Sequence, residues 1–391
     1  MQGSQGNSGD GGPATSASTS RPCGIAIDSP TGNLYIAYLY NRAVRMVTRS
    51  TGIITTVAGT GVSGYTGDGG LATSATMSVP FDVAIDPSNG NFYIADAGIH
   101  VIRMVTKSTG IITTVAGIGR KGYTGNGRLA VNATMSTPVA IVVDPTTGNL
   151  YISDRDNHAI RMVSKSTGII TTIIGTGKWG YSGDGGFAVN ATINSPGGIA
   201  IAAATGNIYI ADTQNNVIRM VTRRTGFVST VAGTTQSLSG GIIRSGVPAT
   251  TAKLDQPSGV AIDAQTGDIY IADSRNNVIR TVNSSGIITT IAGDRFGRNG
   301  FGGDGGPATK AQLSYPMWVA LDATSGTMYI ADSFNYVVRN VIGAGTASPI
   351  PSASPTVASI IPSISPVEGT PEAVTSIPTE APTSQGDTYD A

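Results

Sequence analysis

The stretch 258-SGVAIDAQTGDIYIADSRNNVIRTVNSSGIITTIAG-293 decides the fold. It contains four short runs rich in Val, Ile, Thr and Tyr: Val260–Asp263, Ile269–Asp273, Val278–Val282 and Ile287–Ala292. These residue types fit a pleated surface, and the polar, glycine-bearing connections between the runs are typical of hairpin turns. The stretch therefore predicts four antiparallel strands, and none of its runs has the length or periodicity of a helix.

The same unit recurs along the chain at a nearly constant period. A tyrosine in the second strand marks each copy: Tyr35, Tyr93, Tyr151, Tyr209, Tyr270 and Tyr329. Successive tyrosines are 58, 58, 58, 61 and 59 residues apart. A four-stranded unit at a fixed period is typical of a β-propeller with one sheet per repeat. The sequence therefore predicts an all-β, six-bladed propeller whose blades start near residues 23, 81, 139, 198, 258 and 317.

The two ends of the repeated region differ from its interior. The phrase Gly-Asp-Gly-Gly at 9–12 follows a fourth strand wherever it recurs, so the sequence opens within a loop, and we expect it to be a fragment of a longer chain. Blade six shows three strands, the last at Val338–Ile342, without a counterpart of GIITTVAG. We predict that this blade lacks its outer strand and has an open edge. The alternative is that Thr356–Ile361 fills the position.

Composition divides the chain into a propeller at 1–342 and a tail at 343–391. The tail holds eight of the 20 prolines, many Ser and Thr residues, and no Lys or Arg. Such a segment cannot bury a core, so it is predicted to be extended and disordered.

Composition also argues against several classes of protein. Lys plus Arg and Asp plus Glu both number 24, which gives no electrostatic footprint for nucleic acid. No apolar run reaches the roughly 18 residues of a membrane span, and no secretory signal follows Met1. The single cysteine, Cys23, is expected to be a buried thiol. Glycosylation sequons at Asn132, Asn190 and Asn283, with the Ser/Thr/Pro-rich tail, favour an extracellular or cell-surface location.

Two sets of charged residues recur from blade to blade. Five second strands end in an acid: Asp96, Asp154, Asp212, Asp273 and Asp332. A catalytic acid is needed once, so we interpret these as structural turn residues that accept backbone N–H bonds. Every third strand carries one arginine: Arg45, Arg103, Arg161, Arg219, Arg280 and Arg339. The arginines either pair with the neighbouring acidic turns, which we favour, or form a ring that binds an anion.

Aromatic residues in the long loops form a candidate interaction surface: Tyr65, Tyr123, Trp179, Tyr181 and Phe301. Aromatic side chains often anchor protein interfaces. The alternative interpretation is that they pin the glycine-rich loops to the rim of the propeller.

The sequence offers no convincing catalytic, cofactor-binding or metal-binding constellation. The loops that begin at Gly59, Gly117 and Gly175 match G-x-G-x-x-G, but no helix follows them to hold a phosphate. His100 and His158 fall short of the three ligands of a catalytic zinc site. We therefore predict no catalytic, cofactor or metal residues.

Several phrases resemble NHL-repeat propellers, above all the long-loop form of teneurin-type and bacterial proteins: GIAID at 24–28, GNIYIAD at 206–212, NNVIRMV at 215–221, GIITTVAG at 52–59 and GYTGDGG at 64–70. The likeness covers Gly9–Ile342 and implies a six-bladed propeller that binds proteins. Some members bind RNA on a basic face, which the balanced charge of this chain does not favour. We expect a non-catalytic scaffold for a protein or glycan partner, without a cofactor, within a larger secreted or surface protein. The alternative is a metal-dependent hydrolase or lactonase of the six-bladed gluconolactonase-like group.

Overall fold

The computed structural model describes residues 6–235, 243–344 and 356–359, which form six antiparallel sheets. The first strands are Pro22–Asp28, Pro80–Ile85, Pro138–Val143, Ile199–Ile201, Pro257–Ile262 and Pro316–Asp322. The second strands are Asn33–Tyr38, Phe92–Asp96, Leu150–Asp154, Ile208–Asp212, Ile269–Asp273 and Thr327–Asp332. The third strands are Ala43–Val47, Val101–Val105, Ala159–Val163, Val217–Val221, Val278–Val282 and Val337–Ile342. The fourth strands are Ile54–Ala58, Ile112–Ala116, Ile169–Ile174, Val228–Gly233, Ile287–Ala292 and Thr356–Ser359.

The sheets are arranged in a ring, as predicted for a six-bladed propeller. The first strand of each blade lies against the first strand of the next, and that of blade six lies against that of blade one. The apolar core fills the spaces between successive sheets. Tyr35 and Ala37 of blade one, for example, pack in one cluster with Val83 and Ile94 of blade two. Cys23 is a buried thiol on the first strand of blade one, as expected.

A repeated ion pair links neighbouring blades. A basic residue just after the third strand reaches an acid at the end of the previous blade's first strand: Lys107–Asp28 at 2.9 Å, Lys165–Asp86 at 3.0 Å, Arg223–Asp144 at 2.8 Å and Arg49–Asp322 at 2.6 Å. The carboxylates are buried, whereas the cations remain partly exposed. Because the last pair joins blade six to blade one, the ring closes with the same contact that joins its interior blades.

The prediction that blade six lacks its outer strand is wrong. Thr356–Ser359 pairs antiparallel with Val337–Ile342, with Ser359 opposite Arg339 and Thr356 opposite Ile342. The segment Thr-Val-Ala-Ser is similar to the Thr-Thr-Val-Ala of earlier outer strands, and it satisfies backbone groups that would otherwise form an open edge. Part of the segment assigned to the tail therefore completes the propeller, while residues 345–355 and 360–391 of the predicted disordered tail lie outside the described residues.

The long loops before blades one to five each add an outer layer to the blade that follows. Short strands at Arg128–Leu129 and Val247–Pro248 pair with the fourth strands of blades three and five. Single bridges such as Leu71–Ile111 do the same elsewhere. Three-residue 3₁₀ turns follow in these loops: Ala14–Ser16, Ala72–Ser74, Ala130–Asn132, Ala188–Asn190, Ala249–Thr251 and Ala308–Lys310.

Five more 3₁₀ turns join second strands to third strands: Ala97–Ile99, Arg155–Asn157, Thr213–Asn215, Ser274–Asn276 and Ser333–Asn335. Across the described ranges, none of the helices is long and apolar enough to cross a membrane.

Candidate functional site

The six third-strand arginines are the largest fully buried side chains of the molecule, so they do not form an exposed ring. Four of them contact the acid at the end of their own second strand: Arg161–Asp154 at 3.3 Å, Arg219–Asp212 at 3.5 Å, Arg280–Asp273 at 3.5 Å and Arg339–Asp332 at 3.4 Å. These are the ion pairs that we favoured from the sequence. The arginines thus belong to the interior of each blade.

The second-strand acids bind more than the arginines. Asp212 accepts the backbone N–H of Asn194 at 2.7 Å and the side-chain amide of Asn215 at 2.9 Å. Burial raises the pKa of Asp212 to about 6, although these bonds and Arg219 act in the opposite direction. The same backbone bond recurs at Asp154, Asp273 and Asp332. Each of these acids therefore connects its third strand to the loop that enters the blade.

The arginines of four blades contact another acid, which the sequence analysis missed, and for Arg219 and Arg339 it is a second acidic partner. The aspartate of the Gly-Asp-Gly-Gly phrase, here called the loop acid, contacts the guanidinium at 2.5–2.7 Å: Arg45–Asp10, Arg103–Asp68, Arg219–Asp184 and Arg339–Asp304. The loop acid also accepts an outer-strand N–H, for example that of Thr114 at 2.9 Å. A constant spacing of 35 residues between loop acid and arginine was the signal in the sequence.

Four of the five candidate surface aromatics cover third-strand arginines. The distances from the guanidinium carbon to the ring centre are 5.6 Å for Arg103–Tyr65, 5.0 Å for Arg161–Tyr123, 4.9 Å for Arg219–Tyr181 and 5.4 Å for Arg339–Phe301. The three tyrosine hydroxyls also bond to outer-strand threonines. These rings hold the long loops on the blades, and each tyrosine leaves one part of its ring exposed. Trp179 differs, because 75% of its surface is exposed.

Blade three departs from the repeated arrangement. Asn126 occupies the place of the loop acid, and its side-chain oxygen accepts the Thr172 N–H at 2.6 Å. A cavity of about 320 Å³ lies beside it, lined by Tyr123, Asn126, Arg161 and Val189 among others. The cavity therefore lies where the loop acid of the other blades is replaced by a neutral side chain.

The innermost strands carry one irregular acid. At equivalent positions of the six first strands stand Gly24, Asp82, Ala140, Gly198, Gly259 and Trp318. Asp82 is buried, and its carboxylate accepts the N–H of Val83 at 2.8 Å and that of Ile141 in the next blade at 2.9 Å. Burial raises its pKa well above the usual value. Within the described residues, no three His, Cys, Asp or Glu side chains form a group able to hold a metal ion.

Both histidines serve as links between blades. His100 Nδ1 accepts the Thr137 N–H, and His158 Nδ1 accepts the Ser195 N–H, each at 3.1 Å. In the next two blades Asn216 and Asn277 accept the corresponding N–H through their amide oxygens. All four residues have positive φ, between 49° and 59°, which Asn tolerates well.

This equivalence predicts the effect of replacing His158. Burial lowers its pKa, so its stabilising contribution is present above pH 6.5 and is lost as the pH falls through the lowered value, where Nδ1 gains a proton. We expect His158→Asn to be nearly neutral at pH 8 and stabilising relative to the parent at pH 5, whereas His158→Ala costs about 1 kcal/mol at pH 8. Urea unfolding at both pH values measures this, and an Asn variant that loses as much as the Ala variant at pH 8 would contradict it.

Proteins similar in sequence to this chain include NHL-repeat proteins. Residues 241–299 match the family profile described as "Teneurin NHL domain". The chain is 28% identical over 274 residues to the protein SUPPRESSOR OF QUENCHING 1, chloroplastic, of Arabidopsis thaliana, covering 68% of this chain and 25% of that protein. It is 24% identical over 291 residues to NHL repeat-containing protein 2 of Gallus gallus, covering 68% and 39%. The chain thus spans well under half the length of these relatives.

Solved structures agree on the architecture. An auxiliary nutrient binding protein from Bacteroides thetaiotaomicron aligns with a TM-score of 0.60 and 15% identity over 82% of this chain and 69% of that one. A gluconolactonase from Xanthomonas campestris aligns with a TM-score of 0.52 and 13% identity over 80% and 83%. At such identities these likenesses show the fold alone. The fold therefore defines the class as a six-bladed β-propeller. Within that class the predicted resemblance to NHL-repeat propellers is confirmed by the teneurin NHL profile and by the NHL repeat-containing relatives.

Proposed function

We propose that this propeller is a non-catalytic interaction module that binds a protein or glycan partner through the loop surface around Trp179. The observation that carries the proposal is one large exposed aromatic side chain on a loop held at both ends. Tryptophan is among the residues that most often dominate binding energy at interfaces. The equivalent positions in the two preceding long loops hold Ser63 and Lys121, so the tryptophan is not required by the repeat.

The loop is anchored on both sides of Trp179. Gly177 packs so closely on the Tyr123 ring that an added Cβ would lie 2.8 Å from it. The Gly180 carbonyl accepts the side-chain amide of Asn215 at 2.8 Å. A rigid loop loses little conformational entropy when a partner binds, which favours affinity.

Comparison of a Trp179→Ser variant with the parent tests the proposal. The variant takes the residue that stands at Ser63, so it leaves the loop a side chain that the repeat accepts. Immobilised parent protein is first exposed to a defined panel of extracellular proteins and glycans. We expect the ligands that it retains to be lost with Trp179→Ser. They should be kept with Phe296→Ser, which removes another exposed aromatic from a different loop. Ligand binding that is equal in all three proteins would overturn the proposal.

We place this module outside the cell or on its surface. Asn132, Asn190 and Asn283 are all exposed, which supports glycosylation at the three sequons. Expression through a secretory pathway followed by endoglycosidase treatment should lower the apparent mass, and each Asn→Gln variant should remove part of that difference. An unchanged mass would count against this location.

A further inference from the structure

The guanidinium edge that binds the loop acid has the same geometry in several blades. In blades one, two and six, Nε and Nη2 both donate to one oxygen of the loop acid, with Nε distances of 2.9, 3.0 and 3.1 Å. In blade four, Nη2 donates to Asp184 at 2.7 Å. This edge of the arginine is therefore a carboxylate-binding edge wherever the loop acid is present.

Blade three keeps the arginine but not the acid. The Arg161 side chain is 1% exposed, and its contacts are Nη1 to Asp154 at 3.3 Å and Nη2 to the Thr124 carbonyl at a long 3.5 Å. Its buried Nε has no hydrogen-bond partner among the described residues. An unsatisfied buried donor of this kind costs free energy, which a suitable acceptor would recover.

Comparison with blades four and six points to an anionic acceptor. Arg219 and Arg339 each lie between a loop acid and a second-strand acid, whereas Arg161 has Asp154 as its acidic partner. One additional carboxylate beside Arg161 would give blade three the same set of charges as blades four and six. The Nε of Arg219 also lacks a hydrogen-bond partner among the described residues, but Asp184 already occupies the carboxylate-binding edge of that arginine.

The cavity next to Arg161 provides room for such a group. Its volume is about 320 Å³, and Arg161, Asn126 and Thr172 line it together with the apolar surfaces of Tyr123 and Val189. Pockets of this size bind small ligands when apolar walls surround a few convergent polar groups. The Asn126 amide nitrogen is a further donor for an anion, because its oxygen is engaged with Thr172.

We propose that blade three contains a binding site for a carboxylate that carries a short apolar group, in the cavity beside Asn126, where Arg161 and the Asn126 amide nitrogen hold the carboxylate and it supplies the negative charge that the loop acid supplies in other blades. The carboxylate can belong to a free organic acid, to an acidic side chain or to the C-terminus of a peptide. Trp179 does not line the site, although Gly175 and Thr176 at the start of its loop do, and the proposal does not depend on the proposed partner. In blade five Ser245 stands at the loop-acid position, but residues 236–242 of that loop lie outside the described ranges.

Titration calorimetry with sodium butyrate, at an ionic strength held constant with chloride, tests the proposal. We expect saturable binding to the parent protein and tighter binding than that of acetate, because butyrate also contacts the apolar walls. The variant Asn126→Asp restores the loop acid of the other blades and should weaken butyrate binding by about ten-fold or more. Asn126→Asp should also raise the unfolding temperature of the ligand-free protein. The same measurement shows that the variant folds. Arg224→Gln, which removes an exposed arginine, should bind as the parent does.

Two peptides then distinguish the sources of the carboxylate. An amidated peptide with an internal aspartate and a peptide with a free C-terminal valine each present one carboxylate in a different setting. If one of the peptides competes with butyrate, it identifies the source of the carboxylate. If neither peptide competes, the free organic acid is the ligand. The proposal is overturned if the parent protein does not bind butyrate at tens of millimolar, or if Asn126→Asp binds it equally well.

Discussion

Replacing Arg219 by methionine is expected to destabilise the propeller by about 3–5 kcal/mol, because it leaves the buried Asp212 without its cation. The same change at Arg224 should have an effect near zero, since an exposed charge on the surface contributes little to stability. Urea unfolding at pH 7 of the two variants and the parent measures the difference.

The pH dependence of the Arg219→Met variant gives a second test of the same cause. The pKa of Asp212 is already raised to about 6 by burial, and loss of Arg219 raises it further. A carboxyl with a raised folded-state pKa loses stability as the pH rises through that pKa, so the deficit of Arg219→Met should shrink toward pH 4.5. Combining the variant with Asp212→Asn should recover part of the loss at pH 7. A deficit that is independent of pH would show that lost packing, rather than an unpaired carboxylate, is responsible.

Replacing Gly59 by alanine is expected to cost about 3 kcal/mol, from backbone strain and steric overlap together. Gly59 ends the fourth strand of blade one with φ of +96°. An added Cβ would lie 2.3 Å from the Arg42 carbonyl oxygen and 2.9 Å from the Ala43 Cα, both in the backbone of the adjacent strand and turn. The first glycine of the G-x-G phrase is therefore explained by close packing, because the end of the fourth strand lies against the backbone at the start of the third strand.

Gly69→Ala is the matched control for this prediction. Gly69 also has positive φ, at +81°, but an added Cβ would meet nothing within 4 Å. Its replacement should cost about 1 kcal/mol, from the backbone conformation alone. Thermal or urea unfolding of both variants separates the two contributions, and equal losses would contradict the assigned steric overlap.

The fold could be predicted because every blade repeats the same strand and turn chemistry. Tyr35 and its five counterparts established the period, and the first five blades each contain a complete four-strand phrase. The outer strand of blade six was only the less favoured alternative, because Thr356–Ser359 lacks the glycines that flank the other outer strands and follows a proline-containing segment. Strand pairing at the edge of a sheet depends on available backbone groups as well as on side chains. A short segment further along the chain can therefore supply the edge strand.

The candidate site was predictable only in part. Pairing of the arginines with the second-strand acids followed from the proximity of strand and turn along the chain. The loop acid escaped notice because its contact with the arginine spans 35 residues and depends on how the long loop folds back over its own blade. Asn126 was the available signal, since it breaks a phrase that four other copies share. Only the structure shows that a cavity lies beside it, next to a buried guanidinium.

Metal analysis of the purified protein, with thermal unfolding before and after EDTA, tests the central claim of a non-catalytic module most directly. The innermost strands present Asp82 in a position where the other blades have Gly, Ala or Trp, and its carboxylate oxygens are engaged by two backbone N–H groups. We therefore predict no stoichiometric metal and an unfolding midpoint that EDTA does not change. One metal ion per chain, with a large fall of the midpoint after EDTA and hydrolysis of a lactone substrate, would contradict the account and establish the metal-dependent hydrolase instead.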